Sequence, residues 1–174
     1  FSAGTGLQID SETGEINPST SNPGTYQVTY TTPENAGCGT YNFATEIIIT
    51  EAPNPTITYP STEVCNSQTT AFEVELTGNE NIQGGTFSSE NGLEINATTG
   101  AINPENSSAG TYTVTYTTPE INGCSPVKTE TSVKITELPS AVISYSTPIC
   151  ASETELQQVT FSNTVGNYEN GTFS

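Results

Sequence analysis

The chain is 174 residues long and sets 19 acidic side chains against two lysines, Lys128 and Lys134, for a net charge of −17, with no Arg, His, Met or Trp. A surface this acidic repels nucleic acid and anionic membranes, and an inventory without histidine or arginine excludes Ser–His–Asp and Cys–His catalysis. The single aspartate, Asp10, cannot supply the clustered Asp and Asn of a calcium cage, so no metal or cofactor is expected.

Phe1-Ser2 opens a pattern that returns at Phe87-Ser88 and again at Phe173-Ser174, a period of 86 residues, and about half of positions 1 to 59 are identical to positions 87 to 145. Self-similarity at a fixed period is the mark of a tandem array. A short strand is expected to end at Ile9 and restart at Ile16 with Thr13-Gly14 in the turn, since glycine takes the positive φ of a tight hairpin. After Pro23-Gly24 comes the strongest strand, with Tyr26, Val28 and Tyr30 facing in and Thr25, Gln27 and Thr29 facing out. Tyr26 stands where immunoglobulin-type sandwiches place a tyrosine corner, though a plain core aromatic fits as well.

Glu51-Ala52-Pro53-Asn54-Pro55 separates two strand runs, and paired prolines disfavour a central strand, so a domain boundary falls there. Phe72, Val74 and Leu76 alternate with Glu73 and Glu75, which share one face of a strand and are expected to be solvated, with no part in glycosidase chemistry. The second copy then repeats the first: Ile95, Thr99-Gly100, Ile102, a second candidate corner at Tyr112, and an inward Val133 and Ile135 about Lys134. Glu137-Leu138-Pro139 marks the next boundary. The expected frame is residues 1–53 as the C-terminal part of one domain, 54–139 as a complete domain and 140–174 as the N-terminal part of the next.

Nothing reads as a helix, no run of apolar residues is long enough to span a membrane, and no signal peptide opens the chain. Because it begins within a repeat, the chain is expected to be a segment of something longer. Turn signals every eight to twelve residues or so point to an all-β fold of tandem sandwich domains. Short proline-bearing junctions favour an extended array over loose beads.

Four cysteines in an acidic, Thr-rich β protein read as structural disulfides of an extracellular protein. The natural pair within the framed domain is Cys65 with Cys124, leaving Cys38 and Cys150 to neighbouring repeats, and such a bridge would contribute about 3 to 4 kcal/mol. The alternative joins Cys38 to Cys65 and Cys124 to Cys150, which requires the chain to double back across a proline junction. A Lys–Asn isopeptide bond is not a general device of the repeat, because Asn42 and Ile48 replace Lys128 and Lys134 in the first copy. Sequons at Asn96, Asn106 and Asn170 arise readily in a chain rich in Asn, Ser and Thr and carry no functional reading. Tyr41 and Tyr168 are the aromatics expected to face outward.

The stretch Gly-Thr-Phe-Ser-Ser (85–89), then Gly92-Leu93-x-Ile95 and Thr99-Gly100-x-Ile102-Asn103-Pro104, then Gly110-Thr111-Tyr112-x-Val114-Thr115-Tyr116-Thr117 and Gly123-Cys124, resembles the tandem immunoglobulin-like repeats of giant cell-surface adhesins of Bacteroidota. The SprB-like gliding-motility adhesins are the known example. The resemblance implies a secreted filament exported by the type IX route, working in adhesion or gliding, with no catalytic residues to carry over. The expected function is a stalk of disulfide-stapled, immunoglobulin-like β-sandwich domains, each adding about 35 to 45 Å of length. The expected partners are neighbouring repeats of the same chain and, beyond them, surface polysaccharide or other filament chains. The alternative is a repeat module that itself binds polysaccharide or a partner protein through its loops, since residues 33–40 and 119–126 differ most between the copies.

Overall fold

The computed structural model describes residues 1–165 together with 171 and 172, so Tyr168, the sequon at Asn170 and the Phe173-Ser174 return lie outside the described residues. The protein is all-β with several sheets and no barrel. Its strands are β1 (Gly24–Thr31), β2 (Asn42–Ile49), β3 (Thr56–Thr58), β4 (Glu63–Cys65), β5 (Glu75–Thr77), β6 (Thr86–Ser88), β7 (Gly110–Thr117), β8 (Lys128–Thr136), β9 (Ser140–Ser144) and β10 (Thr160–Val165). The described helical residues form two single 3-10 turns, Pro18–Thr20 and Glu80–Ile82, and among the described residues no helix is long and apolar enough to cross a membrane.

Residues from β3 to β8 share one core. A four-stranded sheet runs in the order β4-β8-β7-β6, and β3 pairs with β5 as a separate ladder packed against β8. Isolated bridges from Ile102 to both Phe72 and Ile95 extend that second group of strands. Alternation decides what meets in the middle: Tyr112, Val114 and Tyr116 of β7 and Val133 and Ile135 of β8 are all buried, with Val64 and Phe87 beside them in the same sheet and Ile57, Phe72 and Leu93 in the same core. Glu73 and Glu75 point to solvent, and Tyr41 is 65% exposed, as the alternation requires.

Two features of this unit go beyond or against the sequence reading. The run from Phe72 to Leu76 is not one strand: β5 covers only Glu75–Thr77, and Phe72 makes its own bridge to Ile102. The other is that the first strand changes sheets. Pro60 lacks an N–H and breaks the ladder after β3, and the chain re-enters the opposite sheet as β4, parallel to β8, with Glu63 opposite Lys134 and Cys65 opposite Thr136. A surface ion pair between Lys134 and Glu63 at 3.1 Å lies along this edge and is worth about 0.2 to 1 kcal/mol at such exposure.

The turn chemistry recurs in both copies. Asp10 Oδ1 accepts the backbone N–H groups of Glu12 and Thr13, and Asn96 Oδ1 those of Thr98 and Thr99, so the turn is held by the side chain that opens it. The two N–H donors hold the Asp10 carboxyl below its ordinary range. Gly14 and Gly100 close these turns at φ of +78° and +75°, and a Cβ on Gly100 would strike Val74 and Phe87. Ser21 and Ser107 each donate to the carbonyl four residues back and accept the N–H of Gln8 or Glu94.

The tyrosines at the head of the long strands form corners: Tyr26 donates to Asn22 O and Tyr112 to Ser108 O, both at 2.9 Å. Tyr112→Phe would leave the Ser108 carbonyl without this donor and should cost about 1 kcal/mol, read as a fall of about 4 to 8 °C in the melting midpoint of residues 51–139.

The N-terminal part repeats the second half of this unit as far as its chain allows. β1 and β2 pair in the register of β7 and β8, with Gly24 opposite Ile49 as Gly110 lies opposite Ile135. Phe1 and Tyr30 pack as tilted rings with centroids 4.7 Å apart, as Phe87 and Tyr116 do at 4.6 Å. Yet Tyr30 is 39% exposed where Tyr116 is 1% exposed. The C-terminal hairpin repeats the front half, pairing Phe161 with Ile143 as Leu76 pairs with Ile57, and Thr160 with Ser144 as Glu75 pairs with Thr58.

Candidate functional site

The residues singled out by sequence fall at the two ends of the unit formed by β3 to β8. Residues 119–126 join β7 to β8. Thr118 clamps that loop, donating its N–H to Val127 O and accepting the Val127 N–H on Oγ1. Ile121 and Cys124 then bridge across Asn122-Gly123, both at positive φ, a turn whose twist suits an antiparallel hairpin. In the first copy Thr32 clamps Tyr41, and Asn35 bridges Cys38 across Ala36-Gly37 in the same conformation. The loops that diverge most in sequence therefore share one backbone, and each presents a cysteine.

Cys124 lies against the incoming linker. Its thiol faces Glu51 O at 3.8 Å, and Thr50 Oγ1 donates to Asn122 O at 3.1 Å. Three asparagines hold the same linker: Asn79 donates its N–H to Asn54 Oδ1 and its side-chain amide to Ala52 O, while Asn81 donates to Glu51 O. Pro53 and Pro55 are buried. Residues 51–53 thus belong with the middle unit, three residues ahead of the boundary placed at 54. The sequence reading missed these asparagines, whose partners lie 25 to 30 residues away along the chain.

Cys65 lies at the opposite end. It closes β4 opposite Thr136, the last residue of β8, and Asn66 Oδ1 accepts the N–H of Leu138 in the outgoing linker. Cys124 precedes the first residue of β8, and the eight steps from Lys128 to Thr136 span roughly 26 Å. A disulfide requires Cα atoms within about 7 Å. The Cys65–Cys124 pair expected from sequence is therefore excluded by the parallel β4–β8 register, and all four thiols are free. Neither the Cys38–Cys65 nor the Cys124–Cys150 bond of the alternative pairing is formed.

Cys65 and Cys150 share a serine contact. Ser67 Oγ donates to Cys65 Sγ at 3.2 Å, and Ser152 Oγ lies 3.0 Å from Cys150 Sγ. These serine contacts, through hydroxyl and backbone N–H, lower both thiol pKa values and favour the thiolate.

Shallow grooves recur beside the Ile9–Ile16 and Ile95–Ile102 bridges, lined by Gln8, Asp10 and Glu15 in one copy and Glu94, Asn96 and Ala101 in the other, so the acidic positions do not repeat. Among the described residues no three His, Cys, Asp or Glu side chains converge as metal ligands would. Asn96, one of the sequons, spends its side-chain oxygen on its own turn. Comparison with protein-family models, with curated proteins and with solved structures finds no match for this chain.

Proposed function

We propose that the chain is a length of shaft from a secreted cell-surface adhesin, built from immunoglobulin-like β-sandwich repeats in an extended array and serving attachment or gliding as a spacer. The observation that carries the reading is the junction: Glu51 to Asn54 are held by Asn79 and Asn81, and Pro53 and Pro55 are buried. A linker fixed by hydrogen bonds at its exit favours a stiff succession of units over freely jointed ones. The tyrosine corners and the first strand's switch between sheets support the immunoglobulin-like assignment. Fixed negative charge would keep neighbouring shafts apart.

The alternative, a repeat that grips a ligand through its loops, draws less support from this geometry. The 119–126 loop spends its turn on the linker, with Asn122 and Cys124 facing Thr50 and Glu51. Small-angle scattering from proteins of two, four and eight repeats tests the shaft. The expected result is a maximum dimension that grows linearly by about 35 to 45 Å per repeat. Growth as the cube root of repeat number would sink it, and binding of two repeats to a defined sugar on a glycan array would favour the alternative.

A further inference from the structure

The middle unit presents one cysteine to each of its two linkers. On the incoming side the Cys124 thiol faces Glu51 O at 3.8 Å and Thr50 Oγ1 donates to Asn122 O, so the loop lies against the end of the preceding strand, where the Thr50 side chain points. On the outgoing side Cys65 is the registered partner of Thr136, and Asn66 Oδ1 accepts the N–H of Leu138 two residues on. Thr136 and Glu137 are the counterparts of Thr50 and Glu51, because β1 and β2 pair in the register of β7 and β8. Registered partners on adjacent strands lie about 4.8 Å apart and send their side chains to one face. The ion pair of Glu63 with Lys134, each two residues earlier on its strand, shows that face to be the outer one. Cys65 therefore stands beside the strand end that receives the loop of a following unit, on the face of the threonine that the loop touches.

We propose that in a run of these repeats the cysteine at the end of β4 in each unit forms a disulfide with the loop cysteine of the unit that follows, so that a covalent bond crosses every junction. The proposal rests on the tandem-array reading above and adds to it the chemistry that locks the array. Cys65 then bonds the loop cysteine of the next repeat, and Cys124 the β4 cysteine of the one before. Within one unit the two thiols lie a strand length apart, roughly 26 Å, whereas a junction brings one of each kind to the same strand end. Both copies keep the parts: Cys38 sits on a loop of the same conformation as Cys124, and Cys150 has a serine contact as Cys65 does. Such a bond adds a second tie to a linker already held by Asn79 and Asn81, and it limits swivelling between neighbours.

Oxidised glutathione supplies the oxidant. The Cys65 thiolate, which the Ser67 contacts favour, attacks it and releases one glutathione thiol, and the loop thiolate then attacks Cys65 Sγ of the mixed disulfide and releases the second. The two protein thiols lose two protons and two electrons, and the glutathione disulfide gains them.

The test prolongs the full chain by one period, with a second copy of residues 87–174 placed directly after Thr172, so that a whole unit follows the middle one. After equilibration with oxidised glutathione and capping of free thiols, cleavage after glutamate leaves Cys65 on peptide 64–73, the loop Cys124 on 121–130, Cys38 on 35–46 and Cys150 on 138–153. The expected result is a link between 64–73 and 121–130 that survives Cys124→Ser in the original copy and is lost with Cys124→Ser in the added copy. A thermal transition retained in both variants shows that the middle unit is folded. A link lost with the original copy's Cys124, a link from Cys65 to Cys38 or Cys150, or no link at all overturns the proposal. Small-angle scattering separates this from the shaft reading: an extended particle without the link sinks the disulfide alone, and a compact particle sinks both.

Discussion

Residues 51–139, expressed alone, should unfold in one cooperative transition whose midpoint does not move when reductant is added, whereas residues 1–86 should show no such transition. The first cut keeps both sheets, the linker carbonyls that Asn79 and Asn81 hold, and the core from Ile57 to Ile135. Insensitivity to reductant follows from the positions of Cys65 and Cys124 at opposite ends of β8, where no bond between them can form. The second cut separates β3 to β5 from β7 and β8 and divides β6 after Thr86. It does retain a back half, β1 and β2, ahead of a front half, but the seven steps from Ile49 to Thr56 reach at most about 24 Å when fully extended. In the middle unit the corresponding ends lie at opposite ends of β8, a span of roughly 26 Å, so the halves cannot close within one chain without strain. Chemical denaturation with and without reductant checks both statements. A midpoint for residues 51–139 that falls on reduction would restore the intradomain disulfide and overturn the β4–β8 register.

Tyr116→Ala should remove about 3 to 5 kcal/mol from residues 51–139. The ring is 1% exposed, packs at a tilt against Phe87 with centroids 4.6 Å apart and shares its core with Val114 and Ile135. Its hydroxyl donates to Ile82 O and accepts the Gly85 N–H, fastening the chain just before β6 to the centre of the sheet. A unit of this size has about 4 to 13 kcal/mol of stability in all, so the Ala variant should be partly unfolded at room temperature. Tyr116→Phe keeps the packing and loses both hydrogen bonds, and should cost about 1 to 3 kcal/mol. Equal losses from the two substitutions, measured by urea titration, would mean that packing contributes nothing here and would contradict the burial. Tyr30→Ala in the 174-residue chain should leave the main transition where it is, because Tyr30 lies outside the core from Ile57 to Ile135 and is 39% exposed.

Much of this molecule could be read from local chemistry. Alternation over Tyr112, Val114 and Tyr116 placed a strand and its inner face, because side chains on a pleated backbone point to opposite sides at a period of two. Gly14 and Gly100 marked their turns, since glycine alone is at ease at φ near +75°, while the part of Asp10 and Asn96 in holding them came from the structure. The 86-residue period divided the chain and exposed its two half-units. Tertiary structure decided the rest. That Glu63–Cys65 run parallel to β8 depends on partners about 70 residues away, and three residues carry too little pattern to announce it. Cysteine spacing says only how much chain lies between two thiols, and the register of β4 on β8 decided that this chain places them at opposite ends. Asn79 and Asn81 read as ordinary polar loop residues until the fold brought the linker carbonyls to them, because hydrogen bonds between distant segments leave no periodic trace in either one.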